Sequence, residues 1–267
     1  MTDLPINKIV CGDNVATMAT FPAESIDLVV TSPPYDNLRT YGGHTWDFEG
    51  VAQELWRVIK PGGVVVWVVA DATVNGSETG TSFRQALRFM EIGFRLHDTM
   101  IYKKSGSGPN IHHPRYSHCF EYMFVLASGT PSIFRPHKKR KNSTAGVLRT
   151  PTTKMQRNGK LSSFNVATVE TPSESLECNV WEYLVGGAAG CEGAGDHPAY
   201  FPEALARDHI LSWSNEGDIV LDPFSGSGTT AKMAKHNGRR YIGIEINPEY
   251  CEIAAKRLEQ QVFEFGD

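Results

Sequence analysis

An α/β architecture, a mostly parallel twisted sheet with helices on both faces, is what this 267-residue chain predicts. Three observations carry it. Short β-branched runs alternate with helically spaced apolar segments along most of the sequence. Val64-Val65-Val66-Trp67-Val68-Val69-Ala70 is continuously apolar, as expected of a strand covered on both faces. Two strand-like runs end in loops rich in Pro or Gly. Ile26–Val30 leads into Thr31-Ser32-Pro33-Pro34-Tyr35. Asp218–Leu221 leads into Asp222-Pro223-Phe224-Ser225-Gly226-Ser227-Gly228-Thr229-Thr230.

In chain order, Lys8–Asp13 predicts a short strand and turn, and Asn14–Phe21 a short helix for which Asp13 is a natural cap. Asp36–His44 is polar and glycine-rich and reads as a loop. Phe48–Ile59 has helical spacing at Val51, Leu55, Trp56, Val58 and Ile59, and Lys60-Pro61-Gly62-Gly63 stops it. Ser82–Ile92 predicts a helix with Phe83, Ala86, Leu87 and Met90 inward. Asp98–Lys103 and Cys119–Ala127 are strand candidates separated by a loop containing Ser105–Pro109. Periodicity fails from Ser128 to Gly186, and Gly186–Cys191 reads as loop. His197–Glu203 leads into a helix through Leu205 and His209 to Trp213; an ordinary proline-started helix accounts for that pattern. A helix from Ala231, a strand Tyr241–Glu245 and a helix Tyr250–Gln261 complete the chain.

The two loops carry the chemistry. Consecutive prolines remove two backbone donors and fix two φ angles, so the strand cannot run on through Pro33 and Pro34. What remains is a stiff tip with a hydroxyl on Ser32 and a ring on Tyr35, at the edge where open α/β sheets bind ligands. In the second loop, glycines between a strand and a helix let backbone approach a ligand closely. No lysine follows Gly228, which argues against a nucleotide-phosphate loop of the P-loop kind.

Together these loops resemble the DNA amino-methyltransferases, enzymes that use S-adenosylmethionine to methylate the exocyclic nitrogen of adenine or cytosine. The resemblance covers most of the chain and is weakest between about Ser128 and Gly186. It implies a Rossmann-like methyltransferase fold in the circularly permuted order in which the catalytic tip precedes the cofactor turn. The implied layout is a catalytic half over 1–127, a target-recognition insertion over 128–186 and a cofactor-binding half over 187–267. It assigns Ser32, Pro33, Pro34 and Tyr35 to catalysis. It assigns Asp13, Thr31, His197, Phe201, Asp222, Pro223, Phe224, Ser225, Gly226, Gly228, Thr229, Glu245 and Ile246 to the donor. Within that set an acid such as Asp13 helps hold the adenosine end, the His197-Pro198 turn encloses the methionine end, and Glu245 accepts the ribose hydroxyls. A plain cap on the Asn247 turn is the simpler role for Glu245. Family members often have Asp or Asn where this chain has Ser32, and the serine favours cytosine N4 over adenine N6 by a narrow margin.

Net charge is −4, so the chain as a whole gives no nucleic-acid signal. Its distribution does. No acid occurs between Glu121 and Glu170, while Arg135, Lys138, Lys139, Arg140, Lys141, Arg149, Lys154, Arg157 and Lys160 accumulate there. A solvated basic face is the plain account; beside the resemblance, the region becomes a double-stranded DNA contact through Lys138, Lys139, Arg140, Lys141, Arg149 and Arg157, with Arg39 near the base pocket. The five cysteines are scattered with no Cys-x-x-Cys pair, so neither a metal site nor a disulfide framework is expected, and a reducing cytoplasm fits. No apolar run approaches the ~18 residues of a membrane span. A homodimer and a cognate restriction endonuclease are partners implied by the resemblance alone. An RNA or protein-amide acceptor, and a non-catalytic DNA-binding protein with a vestigial donor pocket, are the competing readings.

Overall fold

The computed structural model describes residues 4–35, 46–105, 116–136, 139–149, 154–155, 161–162, 169–184 and 202–259. They fall into two units, 1–135 with 179–267, and 136–178. In chain order the first unit holds β1 (Lys8–Cys11), α1 (Asn14–Met18), β2 (Ile26–Thr31), α2 (Phe48–Val58), β3 (Ile59–Val69) and the short pair β4 (Thr73–Val74) and β5 (Ser77–Glu78). It continues with α3 (Thr81–Ile92), β6 (Arg95–Ser105) and β7 (Phe120–Ala127). The second unit holds β8 (Lys139–Lys141), β9 (Leu148–Arg149), β10 (Lys154–Met155), β11 (Leu161–Ser162), β12 (Val169–Glu170) and β13 (Glu174–Leu176). The first unit resumes with β14 (Val180–Leu184), α4 (Glu203–Trp213), β15 (Ile219–Asp222), α5 (Thr229–His236), β16 (Arg240–Glu245) and α6 (Pro248–Glu259).

The main sheet runs β1-β16-β15-β2-β3-β7-β6-β14. Only β7 is antiparallel to its neighbours; the other pairings are parallel. Side chains alternate across it. Leu28 and Val30 join one apolar cluster with Val64, Val66 and Val68, covered by Leu205, Ile210, Ala231, Ala234 and Leu258 of α4, α5 and α6. Val29 joins the other with Val65, Trp67 and Val69, covered by α1, α2 and α3. This period of two is why the central strands are apolar throughout. From β15 the chain winds outward one way through α5 to β16, and from β2 the other way through α2 to β3. The β2–β15 boundary is therefore the switch point of the sheet, where open α/β sheets form their ligand crevice.

Three expectations are corrected. The Lys60–Gly63 stretch does not separate helix from strand: β3 begins at Ile59, which pairs with Ile26 before a register shift. The proline fits because that edge is bulged, and the Gly62 and Gly63 backbone is satisfied by Ser128 instead. Helix α3 is rotated from the expected phase. Phe83, Leu87 and Met90 are 49%, 59% and 45% exposed, while Ser82, Gln85, Ala86 and Phe89 face inward. The cause is polar: Ser82 donates to Asp71, and Gln85 Oε1 accepts the buried Trp67 indole N–H at 2.9 Å. Finally, Val180–Leu184 lies inside the stretch without periodicity, yet it pairs in parallel with β6 as the sheet edge.

In the second unit, β8 pairs with β13, β9 with β12 and β10 with β11, all antiparallel. These pairings nest as in one interrupted hairpin.

Candidate active site

In a parallel sheet all strands deliver their carboxyl ends to one edge. Here that edge carries Ser32–Tyr35 after β2, Asp222–Gly228 after β15, Glu245 ending β16 and Asp13 after β1. The antiparallel β7 brings its beginning to the same edge, so Glu121 meets Lys104 near the end of β6.

Thr31 and Asp222 tie the two loops together. The buried Thr31 hydroxyl donates to Asp222 Oδ1 at 2.7 Å, and the Phe224 N–H donates to the same oxygen at 3.1 Å. Asp222 is 2% exposed, and no cation pairs with it among the described residues. Burial pushes its carboxyl up to about 6; the Thr31 hydroxyl and Phe224 N–H pull the other way, and the Glu245 charge adds to the rise. An unpaired buried carboxylate of this kind suits a ligand that brings its own positive charge.

The glycine turn is shaped by backbone that only glycine adopts easily. Gly226 has φ 49° and Gly228, the residue capping α5, φ 81°. A Cβ at Gly228 would come within 2.9 Å of Ala254 Cβ, so the turn is also pressed against α6. Glu245 braces it: Oε2 accepts the Gly226 N–H at 2.8 Å, and Oε1 accepts the Asn247 N–H at 2.9 Å. Each oxygen retains a second lone pair. Asp13 acts as the cap its position suggests, accepting the Ala16 N–H at 2.8 Å. Phe224 is half-buried and meets Trp46 edge-on at 4.9 Å. Pro223, Ser225 and Thr229 are buried, and Ile246 is exposed. The Ser225 hydroxyl is buried without a partner among the described residues.

At the other loop, Ser32 Oγ and Tyr35 Oη are 2.8 Å apart. Tyr35 Oη donates to Glu121 Oε2 at 2.9 Å, and Lys104 Nζ lies 2.5 Å from Glu121 Oε1. Ser32 and Tyr35 are half-buried, with Pro33 buried between them.

His197, Phe201, Arg39, Lys138 and Arg157 lie outside the described residues, as do the loops expected at 36–44 and 186–191. Lys139, Arg140 and Lys141 form β8, and Arg149 ends β9. Arg140 and Lys141 are exposed.

Sequence reasoning missed several residues that complete the site. Asn14 Nδ2 donates to the Pro223 carbonyl at 3.2 Å. Glu121 could have been noticed as a lone acid inside the apolar strand Phe120–Ala127. Arg257 could have been noticed as a lone cation on the inward face of α6, in line with Ala254 and Leu258.

The fold and its crevice define a Rossmann-like group-transfer enzyme that presents a proline-rigidified hydroxyl beside a glycine turn. Comparison with known proteins narrows that class. A family model described as DNA methylase matches residues 26–256. The orphan methyltransferase M.BamHII of Bacillus amyloliquefaciens is 51% identical over 247 residues, 89% of this chain and 90% of that protein. The DNA adenine methyltransferase YhdJ of Escherichia coli K12 is 30% identical over 94% of this chain and 82% of its own. Among solved structures, the DNA modification methylase TTHA0409 of Thermus thermophilus, complexed with S-adenosyl-L-methionine, superposes with a TM-score of 0.63 at 26% identity, covering 97% of this chain and 95% of that one. The chain belongs to the DNA methylase family of N4-cytosine and N6-adenine amino-methyltransferases, whose methyl donor is S-adenosylmethionine. No helix among the described residues is long and apolar enough to cross a membrane.

Proposed function

We propose that this protein transfers a methyl group from S-adenosylmethionine to the exocyclic amine of a base flipped out of double-stranded DNA, with cytosine N4 favoured over adenine N6. One observation carries the reading: the Thr31–Asp222 hydrogen bond, which locks the Ser32–Tyr35 tip against the glycine turn at the switch point of the sheet. Acceptor and donor sites are thereby adjacent.

The donor supplies an electrophilic methyl group on a sulfonium. The chain supplies position and electrostatics. Phe224, Gly226 and Gly228 surround the donor, Asp222 faces its ammonium group, Glu245 accepts from its ribose hydroxyls, and Thr229 adds a hydrogen bond. The donor set fits, since two carboxylates end the adjacent parallel strands β15 and β16, and Asp222 is buried without a cation. At the other loop, Ser32 Oγ and the Pro33 carbonyl accept the two hydrogens of an amine whose lone pair is otherwise delocalised into the base. That favours a more tetrahedral nitrogen. Tyr35 stacks on the extruded base, which is otherwise unreachable in a duplex. A serine hydroxyl is too weak a base to keep the proton, so proton loss follows methyl transfer.

Ser32 supports cytosine as the acceptor, because adenine enzymes more often carry Asp or Asn there. The relatives carry names of both kinds: YhdJ is a DNA adenine methyltransferase, and the PvuII enzyme is cytosine-N4-specific. We assign 136–178 to target recognition. Its nested antiparallel pairs match the two-stranded ribbon that a major groove admits, and no acid occurs from residue 122 to 169. The test is mass spectrometry of nucleosides from mixed-sequence DNA incubated with protein and donor. N4-methylcytosine is the expected product. N6-methyladenine would overturn the base assignment, and the absence of a modified base alongside intact donor binding would overturn the reaction.

A further inference from the structure

We propose that Glu121, held by Lys104, sets the direction of the hydrogen-bond chain through Tyr35 and so makes Ser32 Oγ an acceptor towards the base amine. This rests on Ser32 being the amine acceptor. A serine there poses a problem that Asp does not. Its hydroxyl both donates and accepts, and a free rotor can turn its proton towards the amine as readily as its lone pairs.

The geometry removes that freedom. Lys104 Nζ sits 2.5 Å from Glu121 Oε1, which fixes the carboxylate and leaves Oε2 facing Tyr35 as an acceptor. A carboxylate has no proton to give, so the 2.9 Å contact commits the single Tyr35 hydroxyl proton to Glu121. In the 2.8 Å contact between Ser32 and Tyr35, the proton must then be serine's. Ser32 Oγ is left with both lone pairs for an N–H donor.

The sheet puts these groups together for a reason. Glu121 shares its face with Met123 and Val125, and Lys104 with Tyr102 and Met100, by the alternation along β7 and β6. Antiparallel pairing sets Tyr102 opposite Glu121, one pleat from Lys104. The start of β7 thus delivers an acid to the edge where β2 delivers the serine. Glu121 is a positioning residue: it acts on Ser32 through Tyr35.

Glu121→Gln makes the sharpest test because it keeps the shape. Lys104 selects the amide oxygen, which turns the amide NH2 towards Tyr35 and reverses the chain. Tyr35 then donates to Ser32, whose own proton is driven towards the base. Single-turnover methyl transfer to unmethylated mixed-sequence DNA should fall about 100-fold, the scale of losing one oriented group in a reaction centre. Donor affinity and melting temperature should hold. Tyr35→Phe keeps the ring and frees the serine rotor, so its loss should be smaller, about 10-fold. In the Tyr35→Phe background, Glu121→Gln should cost less than about threefold, since the path to Ser32 is gone. A merely structural role for Glu121 would give independent, multiplying losses, and that result would overturn the proposal. So would normal turnover in Glu121→Gln while Ser32→Ala is inactive, which leaves the serine reading intact. Normal turnover in Ser32→Ala would overturn both. If Glu121→Gln does not fold, undiminished turnover in Tyr35→Phe overturns the proposal alone.

Discussion

Arg257 and Glu203 meet beneath the glycine turn. Nη2 of Arg257 donates to Glu203 Oε1 at 2.7 Å, while Nη1 donates to the Ser227 carbonyl at 2.6 Å and its hydroxyl at 2.9 Å. Lys232 reaches the same glutamate oxygen at 2.8 Å. Three helices, α4, α5 and α6, are thereby pinned to one loop.

Removing the acid should cost more than removing either base. Arg257 is 2% exposed, and its Nε has no partner among the described residues. Arg257→Ala leaves Glu203 paired with Lys232, so its cost should lie near the low end of the range for broken buried pairs, about 3 kcal/mol. Glu203→Ala leaves two buried cations uncompensated and should cost more than that. Urea unfolding of the two variants gives the order directly. The reverse order would mean that the arginine's bonds to Ser227, rather than the ion pair, carry the stability.

Asp222 should make stability and donor binding respond to pH in opposite senses. Its folded-state pKa is raised, to about 6 from the usual 3.8, mainly by burial. The folded free protein therefore prefers the protonated acid. That contribution is complete below about pH 4 and is lost as pH rises through 6, a penalty at pH 7 of about 3 kcal/mol at ~1.4 kcal/mol per pKa unit. Asp222→Asn should be more stable than the parent at pH 7, and the difference should vanish near pH 4. Donor binding needs the charged form, so affinity for S-adenosylmethionine should weaken as pH falls through 6. Calorimetry showing a flat profile from pH 8 to 5 would remove Asp222 from the ammonium end of the donor.

Glu245 has two jobs to separate. Its bonds to the Gly226 and Asn247 N–H groups are structural, and Glu245→Ala should cost about 2 kcal/mol for two lost charge-assisted bonds. If it also takes the ribose hydroxyls, the donor dissociation constant should rise at least about tenfold, the equivalent of one such bond. A variant that is less stable but binds donor normally would leave Glu245 as a brace for the turn and nothing more.

How much of this was legible follows from sequence distance. The two loops were readable because each is a contiguous strand-and-loop pattern, and parallel strands must bring their ends to one edge. The orientation of α3 was not, because its apolar residues Phe83, Leu87 and Met90 look like the core stripe. The true inward face holds Ser82 and Gln85, whose partners Asp71 and Trp67 lie on or beside another element. Glu121 and Tyr35 are 86 positions apart, and Arg257 and Glu203 are 54 apart. No local pattern encodes a pairing that exists only once the sheet is ordered.

Charge on β8 should govern the salt dependence of DNA binding. Lys139, Arg140 and Lys141 form this strand, Arg140 and Lys141 are exposed, and Lys138 precedes them in sequence. Opposite stands β13, with Glu174 paired to Lys141 and Ser175 to Arg140, so one acid faces three bases across the ladder. Each phosphate neutralised releases counterions and contributes about 0.9 to the slope of log affinity against log salt. Replacing Lys138, Lys139, Arg140 and Lys141 with glutamine should therefore weaken binding at low salt and flatten that slope by about 2 to 4, according to how many of the four meet phosphates. Because β8 and β13 pair through backbone, the substitutions should leave the unit folded. Fluorescence anisotropy on duplex DNA across a salt series measures the slope. An unchanged slope would make the run a solvated face and send the search for phosphate contacts to the basic residues further along the same segment.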